Sequence, residues 1–106
     1  MSFHQSAREI RVEDGHRLVA ELQQEDGEFV HAEINLNDIL GNNDGHFEWA
    51  GGGFSDSAED IHFEIEGDDG VPILRSRLKN ADGDDVYADI NLAERIGNNN
   101  GHFHFE

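Results

Sequence analysis

Cysteine is absent from this 106-residue chain. A small secreted domain usually relies on disulfides, so their absence favours a reducing compartment and a core held by packing alone. Cations are scarce: 7 Lys and Arg stand against 24 Asp and Glu, a formal net charge of −17. Such a surface repels nucleic-acid phosphates and anionic lipid headgroups, and it disfavours sialylated or sulfated sugars. The partners compatible with it are neutral or cationic. No apolar stretch approaches the roughly 20 residues that span a bilayer. The opening Met1-Ser-Phe-His-Gln-Ser6 has neither a basic head nor an apolar run of signal-peptide length. The expectation is a cytoplasmic protein that engages neither nucleic acid nor membrane. There is no Ser- or Pro-rich linker, and the size fits one compact domain with a modest core, hydrophobic residues making up 36 % of the chain.

What is present is a tandem repeat. Phe3-His-Gln-Ser-Ala-Arg-Glu-Ile10 aligns with Phe54-Ser-Asp-Ser-Ala-Glu-Asp-Ile61. Ala32-Glu-Ile-Asn-Leu36 aligns with Ala88-Asp-Ile-Asn-Leu92, and Gly41-Asn-Asn-Asp-Gly-His-Phe47 with Gly97-Asn-Asn-Asn-Gly-His-Phe103. The later blocks are offset because the loop Glu66-Gly-Asp-Asp-Gly70 is longer than its counterpart at Asp14-Gly15. Two copies are too few for a solenoid, so each half is expected to complete the other's core.

Within each copy the hydrophobic period is two. Ile10 and Val12 alternate with Arg11 and Glu13; Leu18, Ala20 and Leu22 alternate with Val19, Glu21 and Gln23. Ile61, Phe63 and Ile65, then Leu74, Ser76 and Leu78, repeat the pattern. Asp14-Gly15, Asp26-Gly27, Asp82-Gly83 and Asn100-Gly101 supply residues that tolerate the positive φ of tight turns. Asn35-Leu-Asn-Asp38 and Asn91-Leu-Ala-Glu94 pair a capping Asn with an acid three positions on, which predicts a short helical turn at each. Gly51-Gly-Gly53 reads as a hinge between the copies. Phe3, Trp49, Phe54, Phe63 and Phe103 fall on apolar positions and are assigned to the core, with Trp49 the costliest to lose if fully packed.

These residues resemble the cyanovirin-N homologue family over essentially the whole chain. The resemblance rests on the paired Phe-polar openings, on Ile34-Asn-Leu-Asn37 and Ile90-Asn-Leu92, and on Asn42-Asn-Asp-Gly45 and Asn98-Asn-Asn-Gly101. Phe47-Glu-Trp49 and Phe103-His-Phe105 follow as the aromatic strands. It implies an all-β fold of two pseudo-symmetric lobes with strands exchanged between repeats, each lobe a three-stranded sheet plus a hairpin, with short helical turns. Repeat one is 1–50 and repeat two 51–106, with one lobe at about 1–38 plus 95–106 and the other at about 39–94. Where disulfide-bearing members place cysteines, this sequence has Ala7, Leu22, Ala58 and Leu78, and all four are expected to be buried.

The resemblance also implies a lectin that takes terminal α1-2-linked mannose without metal or other cofactor. Its first-lobe pocket would be built from Ser2, Gln5, Ser6, Gln23, Glu25, Asn98, Asn99 and Asn100. Short amides, hydroxyls and carboxylates suit paired sugar hydroxyls. The second-lobe pocket retains Asn42, Asp44, Asp56, Ser57, Lys79 and Asn80, but Gly41, Gly52, Gly53 and Ala81 stand where strongly binding members grip the sugar. One working pocket in the first lobe is therefore expected, with weak affinity and a monomeric state. An acidic module that binds a basic partner without sugar is the alternative, separable by its salt dependence.

Other chemistries find little footing. Of the seven histidines, His102 and His104 share a strand face but lack a second ligand pair. Counting back from Gly27, Gly45 and Gly83 places Leu22, Leu40 and Leu78 where a calcium loop needs oxygen ligands. There is no Gly-x-Ser-x-Gly elbow and no distinguishable two-carboxylate glycosidase site, so the chain is not expected to be an enzyme.

Overall fold

A computed structural model describes residues 2–106. The chain runs through a 3-10 turn at Phe3–Ser6, then β1 (Ala7–Glu13), β2 (Arg17–Gln23) and β3 (Phe29–Asn35). A 3-10 turn at Leu36–Asp38 leads to β4 (Leu40–Asn43) and β5 (His46–Trp49). The second copy repeats the order, with a turn at Phe54–Ser57, then β6 (Ala58–Glu66), β7 (Val71–Lys79) and β8 (Asp85–Asn91). A turn at Leu92–Glu94 leads to β9 (Ile96–Asn99) and β10 (His102–Phe105). No helix among the described residues is long and apolar enough to cross a membrane.

Strands β1-β2-β3 and β6-β7-β8 form two antiparallel three-stranded sheets, and β4-β5 and β9-β10 form separate hairpins. The hairpins are exchanged. Phe103 of the second copy meets Phe3 of the first edge-on at 5.2 Å between ring centroids. Phe47 of the first copy meets Phe54 of the second at 5.6 Å. Trp49 and Phe105 stack at 5.8 Å where the two hairpins face each other.

Local chemistry explains the elements. The side chains of Asn35 and Asn91 accept hydrogen bonds from Asn37 N and Ala93 N, which caps the two turns read from sequence. Asp44-Gly45 and Asn100-Gly101 have positive φ at both residues, as two-residue hairpins of this hand require, and Asp14-Gly15 has the same signs in the three-residue loop between Glu13 and Arg17. Register shifts between Arg8 and Arg11, and between Glu59 and His62, mark bulges that place Glu9 and Asp60 at φ 56° and 53°. At the second bulge the buried Ser76 hydroxyl donates to Glu59 O at 2.9 Å, the one departure from apolar residues in that inward row.

Burial departs from the two-fold pattern in informative ways. Phe3 and Phe54 are wholly inaccessible, whereas Trp49, Phe63 and Phe103 are only partly covered. Trp49 keeps a rim in solvent and its indole N–H donates to Glu94 Oε1 at 3.1 Å, so it is not the most deeply packed aromatic. Val19, on the face expected to point outward, is fully buried, because β2 is the central strand of its sheet. Ile65 is half exposed near the end of β6 instead of joining the core.

The residues at the cysteine positions of the family face each other in register, Ala7 opposite Leu22 and Ala58 opposite Leu78. Both leucines are fully buried, while both alanines are only partly so. A large inward leucine beside a small edge alanine thus occupies the space of each crosslink.

Gly51–53 is packed more tightly than a free hinge. A Cβ on Gly51 would lie 2.9 Å from Gly41 N and one on Gly41 3.0 Å from Gly52 N, so the glycines permit two backbones to touch. Gly53 N also donates to Asn37 O at 2.8 Å.

Replacing Phe3 or Phe54 with Ala should cost about 3–5 kcal/mol, the range for large aromatic truncations in a packed core. Tyr87→Ala, at a side chain 89 % exposed, should stay within about 0.5 kcal/mol. Urea denaturation midpoints at constant m check both, and a Tyr87 effect as large as that of Phe3 would contradict this packing.

Candidate functional site

The chain ends of three segments meet on one side of the β9-β10 hairpin. Ser2, itself in the left-handed region at φ 58°, opens the first 3-10 turn, and its N–H donates to Ala93 O at 2.8 Å. The Asn98 amide then ties the segments together. Its Nδ2 donates to Ser6 Oγ at 2.9 Å and to Gln23 O at 2.8 Å, while its Oδ1 accepts from Gly101 N at 2.8 Å. Asn100 Oδ1 accepts from Glu25 N at 3.0 Å. Gly101 cannot carry a side chain, since a Cβ there would sit 2.6 Å from Val30 Cγ2.

All eight residues of the first-lobe set therefore lie on segments that converge; Ser2 is tied in through its backbone, and the other seven divide into two kinds. Ser6, Asn98 and Asn100 spend side-chain groups on the clasp itself. Gln5, Gln23, Glu25 and Asn99 are exposed around it. Gln23 Nε2 has one long bond, 3.4 Å to Gly27 O, and the Asn99 side chain has no hydrogen-bond partner among the described residues. These four can turn donors and acceptors toward a ligand.

The second copy builds the same clasp from the exchanged hairpin. Asn42 Nδ2 donates to Ser57 Oγ and to Lys79 O, both at 2.8 Å, and its Oδ1 accepts from Gly45 N at 2.9 Å. Asp44 Oδ1 accepts from Ala81 N at 2.8 Å, in the place Asn100 holds in the other lobe. A Cβ on Gly45 would lie 2.3 Å from Val86 Cγ2. Asp56 is exposed beside Ser57. Asn80 is turned into its own loop, with Oδ1 accepting from Asp82 N at 3.0 Å and Asp84 N at 2.9 Å. Lys79 Nζ sits 3.0 Å from Asp85 Oδ1, and that hydrogen bond is the main cause holding the ammonium above the ordinary lysine range. A Cβ on Gly41 would lie 3.0 Å from Gly52 N, so the backbone contact there leaves no room for a gripping side chain at Gly41.

Sequence reasoning did not single out a broad concavity on the second-copy sheet. It measures about 1070 Å³ and is lined by His46, Trp49, Arg75, Tyr87, Asp89 and Asn91 among others. Tyr87 stands outward on β8, a position that strand alternation alone could have flagged. The cationic groups in it are already matched: Arg75 Nη2 lies 2.5 Å from Glu66 Oε2 and Nη1 2.8 Å from Asp89 Oδ2, and Arg77 Nη2 lies 2.6 Å from Asp60 Oδ2. A smaller hollow of about 360 Å³ borders the first-lobe set through Asn98 and Asn99. No group of three or more His, Asp or Glu among the described residues is arranged to hold a metal ion.

Comparison with known proteins places this architecture. The family model for the CVNH domain matches residues 3–104. A cyanovirin-N homolog from Neurospora crassa is 46 % identical over 107 residues, covering 97 % of this chain and 96 % of the relative. The NMR structure of the Gibberella zeae homologue superposes with a TM-score of 0.94 at 47 % identity, covering 98 % of this chain and 96 % of the other. Two more distant structures contain sugar. Microvirin in complex with mannobiose has a TM-score of 0.87 at 26 % identity, covering 99 % of this chain and 98 % of the other. A variant of MoCVNH3 in complex with (N-GlcNAc)4 has a TM-score of 0.85 at 27 % identity, covering 98 % and 96 %.

The two kinds of residue should separate by measurement. Asn98→Ala leaves Ser6 Oγ, Gln23 O and Gly101 N without their partner, and should cost about 1–3 kcal/mol. Asn99→Ala should leave stability within about 0.5 kcal/mol. Thermal unfolding of the two variants side by side tests this, and equal losses would refute the division.

Proposed function

This chain belongs to the cyanovirin-N homologue family, and from that premise we propose that it is a carbohydrate-binding protein, a lectin with no catalytic role. Its ligand is terminal α1-2-linked mannose on a mannose-rich glycan, taken at the first-lobe pocket. The observation that carries this is the clasp around Asn98, which fixes three backbone segments and leaves Gln5, Gln23, Glu25 and Asn99 exposed at its rim. A hexose presents alternating donors and acceptors, and this rim offers amide N–H groups, amide carbonyls and one carboxylate. Because the frame is rigid, little ordering entropy opposes binding. The mannobiose complex of microvirin supports the same ligand class.

Binding is weak, in the roughly millimolar to micromolar range, because an exposed rim of a few hydrogen bonds gains little from desolvation. The second pocket contributes nothing to mannose. The Oδ1 of its Asn80 is committed to the adjacent loop, Lys79 to Asp85, and Ala81 replaces the carboxylate of Glu25. The protein acts as a monomer.

A heteronuclear NMR titration with α1-2-mannobiose at moderate salt tests the reading. Shift changes should cluster at residues 2–6, 23–25 and 98–100 and persist when salt is raised. Gln5→Ala or Asn99→Ala should weaken binding about fivefold each, one hydrogen bond of about 1 kcal/mol apiece. Absence of shifts at tens of millimolar sugar would sink the mannose reading and favour recognition of a basic partner by the acidic surface.

A further inference from the structure

The chain has seven Phe, one Trp and one Tyr. Phe3 and Phe54 are sealed in the core, and Phe47, Trp49, Phe63, Phe103 and Phe105 pack against it. Phe29 lies under the Arg8 guanidinium, 4.0 Å from its ring centroid. Tyr87 differs from all of these: it is 89 % exposed and makes no ring, cation–π or hydrogen-bond contact among the described residues. One exposed ring is ordinary on a protein surface. Its setting is not, because Tyr87 lines the concavity of about 1070 Å³ together with the partly buried Trp49. In the first copy the corresponding residues are His31, held 2.6 Å from Glu33 Oε2, and Phe105, which has no polar edge.

The polar groups of that concavity are partly spent and partly free. Trp49 Nε1 donates to Glu94 Oε1 at 3.1 Å, which holds the indole in place. Tyr87 and Asp89 stand on one face of β8, opposite Arg77 and Arg75 in register. Asp89 Oδ2 accepts from Arg75 Nη1 at 2.8 Å, and its Oδ1 stays open. Asn91 Oδ1 accepts from Ala93 N at 2.9 Å, which leaves its Nδ2 unpartnered among the described residues. The Tyr87 hydroxyl and the His46 ring are unpartnered in the same sense. Both arginines here are already matched, Arg75 by Glu64, Glu66 and Asp89 and Arg77 by Glu59 and Asp60. What remains is aromatic surface, neutral donors and a few acceptors, with no cation free to draw an anion.

A basic peptide is weakly drawn to this face, because Asp60 and Asp89 are engaged by Arg77 and Arg75. A second copy paired antiparallel along the edge strand β8, centred on Tyr87, would set Asp85 against Asp89 twice, a like-charge contact. A neutral sugar meets neither obstacle. Its axial C–H groups rest on the negative face of an aromatic ring while its hydroxyls take donors and acceptors at the edge. A β1-4-linked glucose chain has every ring substituent equatorial, so both faces of each unit are C–H surfaces. Mannose interrupts one face with its axial hydroxyl. The concavity lies at the upper end of ligand-sized clefts, which gives room for more than one unit. We propose that it is a further carbohydrate site, where Tyr87 and Trp49 stack the pyranose faces of a neutral, gluco-configured β1-4 chain and Asp89, Asn91 and His46 hold its hydroxyls. The site shares no residue with either lobe pocket and does not depend on the mannose reading.

The test is an NMR titration of the intact protein with cellotetraose, with α1-2-mannobiose in parallel. Cellotetraose should shift residues 46–49 and 87–91, and with them the indole N–H of Trp49, the one tryptophan in the chain. The response should persist as salt is raised roughly tenfold, and mannobiose should leave these residues unmoved. Tyr87→Ala should weaken cellotetraose binding about fivefold, the scale of one aromatic contact, and Tyr87→Phe should retain most of it. Because the side chain is exposed, neither variant disturbs the fold. No shifts at tens of millimolar cellotetraose, shifts confined to residues 98–100, or indifference to Tyr87→Ala would overturn the proposal. So would a response at 87–91 to trilysine that exceeds that to cellotetraose and fades with salt, which would mark a basic partner. If mannobiose binding at 98–100 fails while the cellotetraose response stands, only the mannose assignment falls.

Discussion

Two asparagine amides, Asn42 and Asn98, hold the ends of this molecule together. Each lies near the tip of a hairpin that has crossed to the other repeat, and each satisfies a serine hydroxyl, a strand-end carbonyl and a turn N–H at 2.8–2.9 Å. Those three groups come from segments far apart in the chain, with no regular ladder to pair them. Leaving them unmet would cost about 1–3 kcal/mol each in a partly buried site. The amide alone has both donors and an acceptor in one plane, so neither aspartate nor leucine could replace it. The exchange of hairpins, the placement of both candidate pockets and the glycines at 45 and 101 follow from this contact. Those glycines must pass within van der Waals reach of Val86 and Val30, where no Cβ fits.

The lack of cysteine is answered within the same frame. Ala7 and Leu22, like Ala58 and Leu78, face each other between the first two strands of their sheets. Packing at these positions removes apolar surface from water, a gain that does not depend on redox conditions. The aromatic pairs Phe3–Phe103 and Phe47–Phe54 then bind each hairpin to the sheet of the other copy. Covalent closure is thus replaced by interlocking, in which neither copy can bury its phenylalanine without the other.

With the frame duplicated, the rim residues are free to differ, because they carry little of the stability. In the first pocket the rim is amide-rich; in the second it is carboxylate-rich, with its lysine neutralised by Asp85. The acidity of the whole chain has a similar origin. Most cations are drawn into cross-strand or local pairs, such as Arg8 with Glu21 at 2.6 Å and Arg17 with Glu13 at 2.9 Å, and the excess carboxylates face solvent. Exposed pairs of this kind contribute little to stability, about 0–1 kcal/mol each, so the charge shapes which partners approach more than how the fold holds.

Much of this was legible in the sequence for a physical reason: strand alternation, Asx-Gly turns and Asn caps are set by residues within a few positions of one another. The repeat, the sheets, both capped turns and the segments of the first pocket could be read that way, the last through family resemblance. Other features depend on partners distant in the chain. That Trp49 is only partly buried while Phe3 is sealed, that Val19 is buried on an outward face, and that Gly51 is packed against Gly41 follow from how exchanged hairpins and sheets meet. So does the division of the asparagines, since Asn98 and Asn99 are chemically identical neighbours. Only the fold decides that one amide is consumed by the clasp while the next is left facing solvent, because β-strand alternation turns them to opposite sides and only one side has another segment within hydrogen-bond reach.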